Sequence, residues 1–265
     1  MPHFLIDAGY FVGRMEKHWS KFSSRKNMRY WQNEYNEGRI TSQERTKRIK
    51  QIMKNDIGYI QMRMEEMGKI ESVLVCYDGI YSRRPRGKIY SKYKMNRSDI
   101  KAEEHKGIDI RKRIRKCGFN PDSLSDSWSA IYDEYAEADD LLAKKALELM
   151  DSGEEVVIMS KDSDLKQALA WGDSVRLHDF TKEICVDDFI EEWGILPSQY
   201  VYYKALVGDK SDNIPGIKGI GRSKAKTLLK KYPTIQDIPQ KQFTDTEWSD
   251  FYKYNLLMTL PFESH

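Results

Sequence analysis

The chain has 265 residues, 40% hydrophobic and 32% charged, with a formal net charge of +3; that is enough for one substantial core and a smaller annex beneath a highly ionic surface. Its three cysteines, Cys76, Cys117 and Cys185, are widely spaced and form no CxxC pair, which argues against a disulfide framework or a zinc site and fits a reducing cytoplasm. No apolar run is long enough to span a membrane, and the N-terminal MPHFLIDAGYFVGR carries Asp7 inside a run too short for a signal peptide.

Four short apolar runs read as buried strands: FLIDA (4–8), SVLVCYD (72–78), EVVIMSKD (155–162) and SVRLHD (174–179). Between the first two, residues 14–45 are polar, aromatic and irregular, and read as a partly helical surface insertion. Helical patterns cover 44–68 and 138–151. Strands alternating with helices predict an α/β fold with a mainly parallel central sheet flanked by helices. In such sheets functional groups collect beyond the carboxyl ends of the strands. Asp7 lies near the end of the first run, Asp78 ends the second, and Asp162 and Asp164 follow the third. Past residue 185 the texture changes to short helices and Pro-punctuated turns.

The stretch EADD opens the helical pattern at 138–151 and places Glu137, Asp139 and Asp140 within four positions. Acids suit a helix N-terminus; the alternative is that they aim inward at a cation. If the sheet gathers Asp7, Asp78, Glu137, Asp139, Asp140, Asp162 and Asp164 into one crevice, each pair about 4 Å apart repels by roughly 4 kcal/mol at an effective dielectric near 20. Several such pairs match the whole stability of a domain, about 5–15 kcal/mol. The group must then protonate or hold cations. All-oxygen donors suit Mg²⁺ or Mn²⁺, and so many carboxylates favour two ions, the usual apparatus of phosphodiester hydrolysis.

Residues 83–116 hold fourteen Lys and Arg against four acids, with Tyr81, Tyr90 and Tyr93 interleaved or just ahead. That bias suits phosphate contacts combined with base stacking. Further on, VGDKSDNIPGIKGIGRSKAKTLLKKY (207–232) sets Gly216, Gly219 and Gly221 before an amphipathic, Lys-rich helix. No GK[ST] follows and no strand precedes, so the nucleotide-loop readings fail their context tests. A turn between helices that grips duplex backbone without reading bases fits better. Asp209 and Asp212 stand just upstream.

FLIDAGY, VCYDG, YKMNR, EADDLLA, SKDSDL and VGDKSDNIPGIKGIG together resemble the 5′-nuclease (flap endonuclease) superfamily, in the bacteriophage and bacterial polymerase-associated branch. The resemblance implies a nuclease core over 1–185 with a helical arch near 83–127. It also implies a helix–three-turn–helix DNA-binding region over 186–265 that lends Asp209 and Asp212 to the site. It makes Asp7, Asp78, Glu137 and Asp139 ligands of a first metal, with Asp140 acting directly or through water. Asp162, Asp164 and Asp212 serve a second metal, and Asp209 lies close by. Two Mg²⁺ are implied, with Mn²⁺ as substitute, and K⁺ at the helix–three-turn–helix. Gly216, Lys218, Gly219, Gly221, Arg222, Ser223 and Lys224 belong to the duplex grip. Tyr93 is expected to stack on a nucleobase, and Lys94 and Arg97 to neutralise the scissile phosphate. An arch-side Arg is also expected; Arg83, Arg84 and Arg86 compete for the place, and Arg84 stands among the site residues. Ala8 replaces a Gly often found after the first Asp.

The expected activity is that of a Mg-dependent 5′–3′ exonuclease and flap endonuclease in replication, repair or RNA primer removal. Its expected partners are DNA with 5′ flaps, nicks or RNA primers, and a single-strand-binding protein or replication polymerase. A stand-alone monomer is expected, in a bacterial cell or in the host cytoplasm if the chain is phage-encoded. A PIN-type ribonuclease and a non-catalytic junction-binding protein are the rivals. Exonuclease against endonuclease balance, and DNA flaps against RNA–DNA hybrids with RNase H activity, stay open.

Overall fold

The structure, a computed structural model, describes residues 1–9, 11, 28–97 and 120–262. In chain order the elements are β1 (His3–Asp7), α1 (Met28–Asn36), α2 (Ser42–Met67), β2 (Ser72–Tyr77), α3 (Arg84–Ile89) and β3 (Trp128–Tyr132). There follow α4 (Ala138–Asp151), β4 (Val156–Met159), β5 (Val175–His178), β6 (Glu183–Ile184), α5 (Val186–Trp193), α6 (Tyr200–Val207), α7 (Arg222–Lys231) and α8 (Asp245–Met258). Residues 14–27 of the polar insertion and 98–119 of the expected arch lie outside the described residues.

The strands form one sheet in the order β3-β2-β1-β4-β5-β6. Pairings from β3 through β5 are parallel, and only β5 with β6 is antiparallel. The four apolar runs are the central strands β1, β2, β4 and β5. The periodicity missed β3 and β6, which lie at the edges; in β3 only Trp128 is buried and the next four residues are partly or fully exposed, so it needs no continuous apolar run. Val156, Val157, Ile158 and Met159 are all fully buried, because helices cover both faces.

On one face, Ile49, Met53, Ile60 and Met64 of α2 pack on Phe4, Ile6, Val73 and Val75. The start of α2 is set by a capping box: Thr41 accepts from the Glu44 N–H while Glu44 accepts from the Thr41 N–H. On the other face, Leu142, Ala143 and Ala146 of α4 pack on Leu5, Cys76 and Ile158. Ala8 is fully buried within the first core, so its methyl is accommodated at the close-packed turn. A third core gathers α5–α8 and contains Tyr93, so the helical C-terminal region packs against the segment that follows β2. The sheet thus points Asp7, Asp78 and the residues after Met159 toward one end, where the α4 N-terminus and the α6–α7 loop also arrive.

Candidate active site

A crevice of about 370 Å³ opens at that end, lined by Asp7, Asp78, Glu137, Asp139, Asp162, Asp164 and Asp212 among others. The acids reach it from β1, the β2 and β4 exits, the start of α4 and the α6–α7 loop, and they divide according to what faces them.

Asp7, Asp78, Asp139 and Asp162 form the least compensated set. Burial, then Asp162, Asp7 and Asp78, push the Asp139 carboxyl well above its ordinary value. Burial and Glu137 likewise raise Asp78, even though its Oδ1 accepts the Ala138 N–H at 2.8 Å. That bond satisfies the first N–H of α4 from a residue outside the helix. Asp7 Oδ1 accepts the Gly9 N–H at 2.8 Å, and Asp162 Oδ1 accepts the Asp164 N–H at 2.8 Å. These turns aim the side chains without neutralising them.

The other acids are matched by cations of the chain itself. Lys94 Nζ donates to both Glu137 oxygens, at 2.9 and 2.8 Å, and Tyr93 Oη donates to Glu137 at 3.0 Å. Burial would raise Glu137, but Lys94 and Arg86 hold it down to about 2. Lys94 is left-handed, φ 52°, a conformation that costs a non-glycine residue about 1–2 kcal/mol; the same turn lets its N–H reach the Asp212 carbonyl at 2.9 Å. Arg97 Nη2 bonds Asp212 at 3.0 Å. Buried Lys204 pairs with Asp164 and, at 2.6 Å, with Asp209. Burial would raise Asp209, yet Lys204 and Ser211 hold it at about 2.

Three expectations are corrected. Asp140 does not face the crevice acids: Arg86 Nη1 and Nη2 bond its two oxygens at 2.5 and 2.8 Å, and Phe262 N donates to Oδ1 at 2.8 Å. Arg86, rather than Arg84, is the arginine at the site; it is 2% exposed and lies 3.5 Å from Glu137, whereas the Arg84 guanidinium lies over the Tyr81 ring at 3.9 Å. Tyr93 offers no ring for base stacking, because it is 1% exposed and its hydroxyl also reaches Asp212 at 3.3 Å.

Among the described residues, no three acids surround one point as a formed chelate. Glu137, Asp212, Asp164 and Asp209 are instead paired with Lys94, Arg86, Arg97 and Lys204. The donor set still fits hard cations, being all oxygen and, in Asp7, Asp78, Asp139 and Asp162, mutually repelling inside one crevice.

Across the α6–α7 turn, Lys218, Gly219, Gly221, Arg222, Ser223 and Lys224 are exposed, and the α7 N-terminus carries no side-chain cap. Gly216 behaves differently. Its φ is 73°, and a Cβ there would lie 2.5 Å from the Gly208 nitrogen, so it serves the chain's own crossing rather than a ligand. Residues missed by the sequence reading are Lys204 and the α8 end, where Leu257, Met258 and Leu260 line the crevice. A lysine inside the apolar YVYYKALVG was the available signal for Lys204.

The family model described as the 5′-3′ exonuclease N-terminal resolvase-like domain matches residues 33–194, over half the chain, and that of the 5′-3′ exonuclease C-terminal SAM fold matches 195–251. The chain belongs to the 5′–3′ exonuclease family. It is 38% identical to a Mycoplasma pneumoniae 5′-3′ exonuclease over 58% of its own length and 52% of that protein. To the flap endonuclease Xni of Vibrio atlanticus it is 33% identical, over 59% of its length and 60% of that protein. These matches thus span about half or somewhat more of each exonuclease-family relative. The fold matches the bacteriophage T5 flap endonuclease, solved as a pseudo-enzyme–product complex with DNA and metal ions, at a TM-score of 0.65 with 18% identity, covering 98% of this chain and 90% of that one.

Proposed function

We propose that the protein is a structure-specific 5′ nuclease, cleaving phosphodiester bonds at 5′ ends and at single-strand/double-strand junctions. The observation that carries the reading is the crevice-lining set Asp7, Asp78 and Asp162, each of which repels Asp139, beside cations that suit a phosphate. Residues 1–185 act as the cleavage core and 186–265 as the duplex grip. Asp7, Asp78, Glu137 and Asp139 hold one divalent ion, Mg²⁺ or Mn²⁺. Asp162, Asp164 and Asp212 hold a second, with Asp209 supporting through Lys204. When bound, such ions supply charge neutralisation at the phosphate and an activated water.

Lys94 and Arg97, now held on Glu137 and Asp212, exchange those carboxylates for the scissile phosphate and stabilise its developing charge. The α6–α7 turn contacts duplex phosphates through Lys218, Gly219, Gly221, Arg222, Ser223 and Lys224, with K⁺ at its carbonyls. Partners are DNA with 5′ flaps, nicks or RNA primers, together with a replication polymerase or single-strand-binding protein. End-labelled cleavage mapping on flap, nicked and RNA-primed duplexes, with and without Mg²⁺, tests this. Cleavage at the junction only with metal is expected; junction binding with no cleavage under any metal would sink the reading.

A further inference from the structure

Leu257, Met258 and Leu260 line one wall of the crevice, yet the segment 257–262 lies beyond the 195–251 covered by the C-terminal family model. They are tied down by polar contacts rather than by packing alone. Arg86 Nε donates to the Leu257 carbonyl at 2.8 Å, and Gln167 Nε2 donates to the Met258 carbonyl at 2.9 Å. Leu260 N donates back to Gln167 Oε1 at 3.1 Å, and Phe262 N donates to Asp140 Oδ1 at 2.8 Å. The Arg86 guanidinium also lies 4.4 Å from the Phe262 ring centroid.

Each anchor sits on a segment that delivers site residues. Arg86 belongs to α3, between Asp78 and Lys94. Asp140 is on the first turn of α4, beside Glu137 and Asp139. Gln167 lies in the 3-10 turn Asp164–Ala170, which begins with a crevice acid. All three side chains are buried. A buried ion pair is tolerated only when its remaining donors and acceptors are satisfied, and here the Leu257 carbonyl and the Phe262 N–H do this for Arg86 and Asp140.

We infer that Leu257–Phe262 is a positioning strap for the cleavage site. By gripping Asp140 through Arg86 and its own backbone, it fixes the rotation of the first α4 turn and so the aim of Glu137 and Asp139. Through Gln167 it fixes the turn that carries Asp164. This inference rests on the metal-dependent cleavage proposed above. Arg86, Asp140, Gln167 and Phe262 act through the acids, as positioning residues.

The test compares three full-length variants. Phe262→Pro deletes the N–H given to Asp140, Gln167→Leu removes both strap bonds while keeping bulk, and Phe262→Leu keeps the N–H and an apolar side chain. Each is followed by circular dichroism, Mn²⁺ calorimetry and flap-cleavage kinetics. Phe262→Pro and Gln167→Leu should weaken Mn²⁺ affinity and lower kcat by about 10–100-fold, as for other outer partners of metal ligands, with KM for the flap within about twofold. Phe262→Leu should stay near wild type. Wild-type Mn²⁺ affinity and kcat in both damaging variants overturn the strap, as does a loss that merely tracks the unfolded fraction. Absence of Mn²⁺ uptake by the wild type instead overturns the metal reading, and the strap with it.

Discussion

On the first turn of α4, Asp140 meets a guanidinium, while Asp139, one residue earlier, meets the carboxylates of Asp162, Asp7 and Asp78. The helix turns about 100° between them, which carries one side chain to the chain's own Arg86 and the other to the crevice. The comparison separates two uses of charge. Asp140 with Arg86, and Asp164 and Asp209 with Lys204, are compensated from within. Asp139 faces carboxylates instead, as the proposed metal site requires. Its repulsion opposes folding of the metal-free chain, which is what a site built to bind rather than to stabilise should show.

Replacing Asp139 should break that contrast most completely. Asp139→Asn keeps the shape and removes one of the repelling charges. Flap cleavage should fall by at least about 10³-fold while junction binding holds, since the lost group would contact metal rather than duplex. The metal-free variant should also melt higher, by about 2–4 °C for each kcal/mol of repulsion relieved in a chain of this size. Wild-type turnover in this variant would remove Asp139 from the metal-facing set.

On the compensated side, Arg86→Ala should act on stability first. It strands Asp140, 7% exposed, without its bidentate partner; breaking one half of a buried pair costs about 3–5 kcal/mol. Urea denaturation measures this, and a loss below about 1 kcal/mol would show that water reaches Asp140 and that the pair is not sealed. The double variant Arg86→Met with Asp140→Leu should recover most of the stability, as apolar replacements of buried pairs do, without recovering cleavage if the strap geometry is what matters.

The same contrast shows what the sequence could reveal. Strand exits are legible because period and apolar runs locate β1, β2, β4 and β5, and Asp7, Asp78, Asp162 and Asp164 follow from them. Whether a carboxylate faces a cation from its own chain is a long-range fact: Asp140 meets an arginine 54 positions away, and Tyr93 meets Asp212 at a separation of 119. No local pattern encodes those pairings, so only the folded chain sets Asp140 and Tyr93 apart from the crevice acids and Arg86 apart from Arg83 and Arg84. β3 escaped because an edge strand needs no continuous apolar run.

A smaller effect separates two glycines of the α6–α7 loop. At Gly216 a new Cβ would meet Gly208 N and Val207 C at 2.5 Å, whereas at Gly219, φ 78°, it would meet nothing within 4 Å. Gly219→Ala should therefore cost only its left-handed strain, about 1–2 kcal/mol, and weaken duplex binding where the added methyl meets a phosphate backbone. Gly216→Ala adds a backbone clash, so its loss in thermal stability should be clearly the larger of the two. Equal losses would show that the 208–216 crossing is loose.

The smallest effects are in pH, and the acids raised by burial oppose those held down by cations. Burial first, with neighbouring carboxylates after it, raises Asp78, Asp139, Asp164 and Asp212 above 3.8. The folded chain holds those protons more tightly than the unfolded one, so metal-free stability should fall as pH rises from 3.8 through the raised values. Glu137 and Asp209 shift the other way, from 4.5 and 3.8 down to about 2. Their contribution is present above the ordinary values and is lost as pH falls toward 2. Metal-free stability should therefore peak in the mildly acidic range and decline on both sides, by at most about 1.4 kcal/mol per pH unit for each proton exchanged. Mn²⁺ should weaken the decline on the neutral side, because it binds the deprotonated carboxylates of Asp78 and Asp139 in place of their protons. A pH profile unchanged by Mn²⁺ would remove Asp78 and Asp139 from the metal-facing set.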